Sequence, residues 1–258
     1  MIPAGVLGTD ISHHKDNATT LQRIDFERMA AAGAKFSIFK ATQGEFFVDG
    51  VFKADYNRGL TPRGGFHYLD WSCKGYKQAG NFLRNIENVK LNFPPVIDFE
   101  CLTTGYWRPD SPWISALPTR AEANAELWSW LSIVENQTKR IPMIYTRDSY
   151  WKEFGSTDPK WKRFPLWIAS YRTDAPVIPA PWTDCVLWQF TDRGNGHDFG
   201  VEALAIDLDV FRGTESELRN FCGMEAVPPP ADLSDHARIE RLEQAVTAHG
   251  IVLPGERT

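Results

Sequence analysis

Phe93-Pro94-Pro95-Val96-Ile97-Asp98-Phe99-Glu100 decides how this chain is read. Two prolines, which cannot donate to a β-ladder, precede a short apolar run, so Val96 to Glu100 reads as a buried strand that carries two acids to its C-terminal end. Residues two apart in a strand share a face. Asp98 and Glu100 therefore point one way, while Phe99 points toward whatever covers the sheet. Two carboxylates in a partly dry site do not both ionise easily, so one holds its proton to higher pH, which is how an acid and a base are made from like residues. A D-x-E pair by itself more often means solvated acids at a strand end or a cap on the next turn, and the rest of the chain has to decide.

Working outward, strands and helices alternate. Toward the N-terminus lie a helix over Lys77 to Asn88 with Ala79, Phe82, Leu83 and Ile86 on one face, a strand over Gly64 to Leu69, and a short helix over Phe52 to Gly59. Before these come a strand over Phe36 to Ala41, a helix over Asp25 to Ala32 stopped by Gly33, and a strand over Val6 to Ile11 that delivers Asp10 to its tip. His67, flanked by aromatics, reads either as a general base or as a core residue with one nitrogen satisfied. Toward the C-terminus, the long irregular stretch Leu102 to Pro118, with Tyr106, Trp107 and Trp113, reads as a substrate wall, because compact domains seldom carry such loops idly. Thr119-Arg120-Ala121-Glu122 is a capping box opening a helix to Val134. Strands follow over Ile141 to Thr146, Leu166 to Tyr171, Cys185 to Thr191 and Leu204 to Phe211, the last with Asp207 and Asp209 on one face. Helices are clear between the first five strands and weak or absent among the last three. Alternation implies parallel neighbours with right-handed crossovers, and eight strands can close into an α/β barrel whose chemistry sits where strands end. Asp10, Asp98, Glu100 and Asp207, each taken to lie at a strand C-terminus, are expected to converge on one mouth.

Composition narrows the partners. With 258 residues, 43% of them hydrophobic, the chain can bury one sizeable core. A net charge of -5 and no cluster of basic residues argue against a nucleic-acid or anionic-membrane surface, and no apolar run reaches the length of a membrane span. Cys73, Cys101, Cys185 and Cys222 show no C-x-x-C pairing, so neither a zinc site nor a redox motif is expected; free buried thiols are the default, with disulfides open. His13 and His14 are adjacent without further ligand spacing, and no metal or other cofactor is expected. Ten Trp residues suit a core or a cleft for a ring-shaped ligand equally.

Seven stretches, in order, carry a resemblance: Gly8-Thr9-Asp10-Ile11-Ser12, Phe39-Lys40-Ala41-Thr42-Gln43-Gly44, Gly65-Phe66-His67-Tyr68, Ile97-Asp98-Phe99-Glu100, Leu166-Trp167-Ile168-Ala169-Ser170-Tyr171, Trp188-Gln189-Phe190-Thr191 and Ile206-Asp207-Leu208-Asp209-Val210-Phe211. Together they resemble the glycoside hydrolase family 25 muramidases, the Chalaropsis-type lysozymes, especially those that bacteriophages use as endolysins. The resemblance implies an incomplete TIM-like (β/α)5(β)3 barrel and hydrolysis of the β-1,4 bond between N-acetylmuramic acid and N-acetylglucosamine in peptidoglycan. It makes Glu100 the general acid and Asp98, Asp10 and Asp207 the other catalytic carboxylates, with retention of configuration through the substrate's own acetamido group, oriented by Asp98. The chemistry fits: a glycosidic oxygen leaves only once protonated, and the cationic transition state needs negative charge nearby. With Asp98 beside it, Glu100 is expected to have a raised pKa. Tyr68, Tyr145, Trp167, Tyr171 and Trp188, at or near strand ends, together with Gln189, are the candidate substrate-binding residues, each as compatible with a core.

Three segments are expected: a catalytic barrel over 1–223, a Pro-rich linker over 224–234 holding Val227-Pro228-Pro229-Pro230-Ala231, and a short C-terminal helix or tail over 235–258. Ile239, Leu242, Val246 and His249 follow helical spacing over too few heptads for a firm coiled coil, so self-docking and weak self-association both remain open. No wall-binding module is read, where many phage enzymes of this kind carry one. The start of the chain lacks the pattern of a signal peptide, and the expected course is synthesis in a host cytoplasm, holin-type release and antimicrobial action at the bacterial wall. Three rival readings fit parts of the pattern. A chitinase-like barrel usually shows D-x-x-D-x-D-x-E, but Val96 stands where the preceding acid belongs. The others are a barrel hydrolase using Mg²⁺ or Ca²⁺ and a non-catalytic peptidoglycan-binding or virion tail module.

Overall fold

The computed structural model describes residues 2–15, 23–71, 73–100, 118–172 and 174–225. Among these, nine strands and six helices follow one another as β1 (Val6–Ile11), α1 (Phe26–Ala31), β2 (Phe36–Gln43), β3 (Phe47–Val48), α2 (Phe52–Arg58), β4 (Arg63–Tyr68), α3 (Gly75–Ile86), β5 (Val96–Asp98), α4 (Arg120–Thr138), β6 (Met143–Arg147), α5 (Asp148–Phe154), β7 (Leu166–Ala169), β8 (Leu187–Asn195), β9 (Ala205–Phe211) and α6 (Glu215–Phe221). Eight strands close into a barrel in the order β1-β9-β8-β7-β6-β5-β4-β2, with β2 pairing back to β1, and β3 is a two-residue hairpin partner of β2 outside the ring. The described barrel residues fall within one unit that ends at Met224.

Parallel pairing runs from β1 through β2, β4, β5, β6 and β7 to β8. β9 departs from the expected parallel pattern: it lies antiparallel to both β8 and β1. The physical reason is its connection. A short 3-10 turn over Gly196–Phe199 joins it to β8, too little chain for the crossover that a parallel return requires. Three further elements escape the sequence reading: β3, α5 and α6, each of seven residues or fewer and too short for a periodicity to stand out.

Strand alternation sorts the core into two clusters. Outward residues such as Leu7, Ile11, Phe39, Ile97, Phe99, Ile144, Ile168, Leu208 and Val210 pack beneath the helices. Inward ones such as Val6, Phe36, Ile38, Phe66, Val96, Met143 and Leu187 fill the barrel. Gly8 sits on the inward side where a Cβ would lie 2.3 Å from the Phe36 ring, so the large side chain of β2 requires a glycine on β1. The Thr119 capping box is formed as expected, its hydroxyl accepting from Glu122 N while the Glu122 carboxylate accepts from Thr119 N, and α4 runs beyond Val134 to Thr138. Phe82 of α3 meets Trp130 of α4 at 5.2 Å between ring centres, which ties the two helices together over the sheet.

His67 proves to be a core residue. It faces outward from β4, fully buried, with Thr42 Oγ1 2.7 Å from Nδ1 and Gln78 Oε1 3.1 Å from Nε2, and it stacks on Trp130. Loss of water lowers its pKa to about 3, so it stays neutral. Cys185 and Cys222 are free thiols, and burial raises the pKa of both. No helix among the described residues is long and apolar enough to cross a membrane. The expected wall over 102–117 with Tyr106, Trp107 and Trp113, Cys101, and the tail from residue 226 onward lie outside the described residues.

Phe99 tests the alternation. It is fully buried on the outer face and meets Trp71, Tyr150 and Trp151 edge to face at 5.1 to 5.6 Å. Phe99→Ala should cost about 3–5 kcal/mol in chemical denaturation, whereas Tyr171→Ala, at a half-exposed rim position, should stay within about 0.5 kcal/mol.

Candidate active site

The mouth of the barrel is assembled from inward-facing positions near one end of the ring. β1 contributes Asp10, whose Cα pairs across the ladder with that of Asp207 on β9. β5 contributes Asp98, and Glu100 follows two residues later on the same side. All four acids line one cavity of about 640 Å³. Asp207 reaches the mouth differently from the sequence expectation. It is the third residue of β9 rather than one near its C-terminus, and only the antiparallel course of β9 brings the start of that strand to the end where the parallel strands finish.

Of the candidate substrate-binding residues, Tyr68, Tyr145, Trp167, Tyr171 and Gln189 line the cavity. Trp188 does not. It follows Leu187 on β8 with the opposite parity, packs in the outer cluster, and donates through Nε1 to Ser170 O at 2.6 Å. Its neighbour Gln189 holds the inward position and organises the rim: Nε2 donates to Asp10 Oδ2 at 2.7 Å, while Oε1 accepts from the hydroxyls of Tyr145 and Tyr171, both at 2.9 Å. With both ends of the amide engaged, the orientation of Asp10 is fixed. Trp167 forms part of the floor, its Nε1 donating at 2.8 Å to Asp209, a fully buried carboxyl.

Burial sets the charge state of these acids. Loss of water is the largest influence on Asp10, Asp98, Asp207 and Asp209. It raises Asp10 to about 6 against the lowering hydrogen bond from Gln189, and raises Asp207 to about 8, helped by the nearby charge of Asp10 and opposed by Lys15 at 3.7 Å. Asp98 and Asp209 are pushed well above the carboxylate range, Asp98 by burial and then by the charge of Glu100, Asp209 by burial and then by Asp10. Beside Asp98, Glu100 has a partner that the sequence reading does not name. Arg147 Nε donates to Glu100 Oε2 at 3.2 Å, and Arg147 Nη2 donates to the same oxygen.

Lys40, Arg147 and His14 also line the cavity, and Asp209 lies beneath it. The signal that could have found three of them was parity. Lys40 follows Ile38 by two, Arg147 follows Tyr145 by two, and Asp209 follows Asp207 by two, so each takes the inward face of its strand. Lys40 is committed locally, donating to Gln43 Oε1 at 2.7 Å with its ammonium 4.9 Å over the Tyr68 ring, and burial lowers its pKa despite the neighbouring acids. His13 pairs with Asp49 at 2.9 Å. Among the described residues no group of three or more His, Cys, Asp or Glu is arranged to hold a metal ion. A second cavity, of about 530 Å³, lies by the starts of β5 and β6, lined by Leu83, Ile86, Val89, Leu91 and Arg140, with Glu87 as its one carboxylate.

Residues 9–199 match the family model described as Glycosyl hydrolases family 25. A relative named N,O-diacetylmuramidase from Arthroderma benhamiae is 27% identical over 227 residues, covering 84% of this chain and 86% of its own. Among solved structures, a family GH25 lysozyme from Aspergillus fumigatus superposes with a TM-score of 0.69 at 28% identity, over 85% of this chain and 99% of that one. The CTP1L endolysin superposes with a TM-score of 0.64 at 25% identity, over 86% of this chain and 71% of that one.

Asp207 gives a pH test. Its carboxyl titrates near 3.8 when unfolded and near 8 when folded, so between these values the folded chain holds a proton that the unfolded chain has lost. Its contribution to stability is therefore complete below about 3.8 and is lost as pH rises toward about 8. In thermal melts, Asp207→Asn should flatten that decline and melt higher than wild type at pH 8. A variant that tracks the wild-type curve at every pH would contradict the raised pKa.

Proposed function

The chain belongs to glycosyl hydrolases family 25 and is a glycoside hydrolase, and from that premise we propose that it is a peptidoglycan N-acetylmuramidase, a lysozyme cutting the β-1,4 bond between N-acetylmuramic acid and N-acetylglucosamine. The observation that carries the proposal is the meeting of Asp10, Asp98, Glu100 and Asp207 in one aromatic-walled cavity, although they are remote along the chain. The muramidase and lysozyme names of similar proteins support it.

Glu100, less enclosed than Asp98, is the proton donor to the leaving glycosidic oxygen. Asp98 beside it orients the substrate's acetamido group, whose oxygen attacks the anomeric carbon from the opposite face as the glycosidic bond breaks; water then displaces that oxygen from the first face, and the two inversions together retain the configuration. Near neutral pH, Asp10 has lost its proton and Asp207 keeps one. Asp10 thus supplies negative charge toward the oxocarbenium-like transition state, while Asp207 donates a hydrogen bond to a sugar hydroxyl. Tyr68 and Tyr171 offer the faces against which a sugar ring packs. The barrel is of the incomplete TIM-like (β/α)5(β)3 type, a reading supported by α1 to α5 each lying between successive ring strands and by the lack of such a helix among the described residues from β7 to β9. A role as a phage endolysin, released to the bacterial wall from the cytoplasm in which it is made, is supported by the likeness to the CTP1L endolysin. Weak self-association through the C-terminal segment 235–258 is part of the same proposal.

Mass spectrometry of digested peptidoglycan tests the bond and the residue together. Wild type should release fragments with reducing muramic acid ends. Glu100→Gln should reduce their rate of formation by about 10² to 10⁴, the range for loss of a general acid. Reducing glucosamine ends or peptide cuts would refute the proposal.

A further inference from the structure

Arg147 lines the cavity without a part in the acid chemistry. In the free state its charge is spent on Glu100, the proton donor, and on no group of a substrate. Its position is nonetheless built in. Arg147 ends β6 with the inward parity of Tyr145, and β6 pairs directly with β5, which delivers Asp98 and Glu100. Its guanidinium spends two donors, Nε and Nη2, on a single oxygen of Glu100. A guanidinium is a planar fork matched to both oxygens of a carboxylate, so this pairing leaves part of its capacity unspent.

Exposure shows which partner of the pair meets the solvent. The Arg147 side chain is 46% exposed and that of Glu100 15%. The pair is therefore open on the arginine side, and an ion pair in contact with water is weakly held. Arg147 and Lys40 are the Lys and Arg side chains lining the cavity among the described residues, and Lys40 is buried, bonded to Gln43 and stacked over Tyr68. An anion entering the mouth thus meets Arg147. A muramyl glycan brings such an anion: each muramic acid carries a lactyl ether ending in a carboxylate or, where substituted, a peptide with carboxylates of its own. A polymer of N-acetylglucosamine alone brings none.

We propose that Arg147 is the receptor for a substrate carboxylate, resting on Glu100 in the free enzyme and exchanging to the substrate when a muramyl glycan binds. The inference rests on the muramidase reading and adds to it the device by which an anionic glycan is selected over a neutral one. The exchange also settles the proton. Asp98 is buried, with Oδ1 lacking a hydrogen-bond partner among the described residues. Once Arg147 leaves, the proton held by Asp98 passes to Glu100 and from there to the glycosidic oxygen, which takes the electron pair of the breaking bond to the anomeric carbon. Asp98 is left ionised to face the acetamido N–H, and the water that completes hydrolysis returns a proton to the pair.

The test compares kcat/KM on three tetrasaccharides of alternating N-acetylglucosamine and N-acetylmuramic acid. One has free lactyl carboxylates, one has them converted to methyl amides, and one has them joined to peptide stems with free carboxylates. Wild type should cleave the free-lactyl glycan about 10-fold to 100-fold faster than the methyl amide, as expected for a charge-assisted hydrogen bond gained or lost. Arg147→Ala should abolish that preference by losing activity on the free acid while keeping or gaining it on the methyl amide. Arg147→Lys should retain part of it. A preference for the peptide-bearing glycan over both others identifies the stem as the carboxylate source and upholds the proposal. Equal cleavage of all three by wild type overturns it, as does an Arg147→Ala variant that slows on all three alike. If wild type yields no reducing muramic acid ends from any of them, the muramidase reading fails first and this inference with it.

Discussion

Closure of the sheet, through the hydrogen bonds that β1 makes to both β2 and β9, is the constraint on which the site depends. In the ring, β9 stands half way round from β5, so Asp207 faces the strand of Asp98 across the mouth, and β1 sets Asp10 beside Asp207. An open sheet with the same strands would leave these acids strung along a surface, each solvated and ionised. Closed, the ring removes water from all of them at once, and that shared loss is the largest influence on Asp10, Asp98, Asp207 and Asp209 alike.

Crowding carboxylates into a barrel mouth carries an electrostatic cost, and the structure meets it in three ways. Asp98, Asp207 and Asp209 hold protons above the ordinary carboxylate range. Hydrogen bonds fix the carboxyls in place, with Gln189 on Asp10 and Trp167 on Asp209. Cations stand at the edges: Lys15 near Asp207, Lys40 on β2 and Arg147 on β6. Glu100 differs from the other acids of the mouth in having an arginine, Arg147, as its direct partner. Outside the ring, the same alternation places His67 and Trp188 where their polar atoms are satisfied by Gln78, Thr42 and Ser170, so they serve the packing of the shell.

The sequence made the barrel legible because periodicity is local. A run such as Val96-Ile97-Asp98-Phe99-Glu100 states its own parity, and the capping box at Thr119 announces a helix wherever it occurs. The same parity would have picked Gln189 over Trp188, since Leu187 and Gln189 share the inward face; the attraction of an aromatic for a sugar ring outweighed it. Asp207 was correctly grouped with the other acids but for a reason that does not hold, because strand direction is a property of the connection between β8 and β9 and of the neighbours, neither of which a single strand encodes.

What the sequence by itself determined is the alternation of strands and helices, the inward face of each strand, and hence which acids are available to a common interior; these follow from the two-residue period of the extended chain. What only the tertiary structure decided is how those acids are charged and who partners them. The antiparallel return of β9, the bracket of Gln189 on Asp10 with Tyr145 and Tyr171, the depth of Asp98 and the grip of Arg147 on Glu100 all join residues far apart in the chain. Desolvation and ion pairing depend on distance in space, and that distance exists only once the ring has closed.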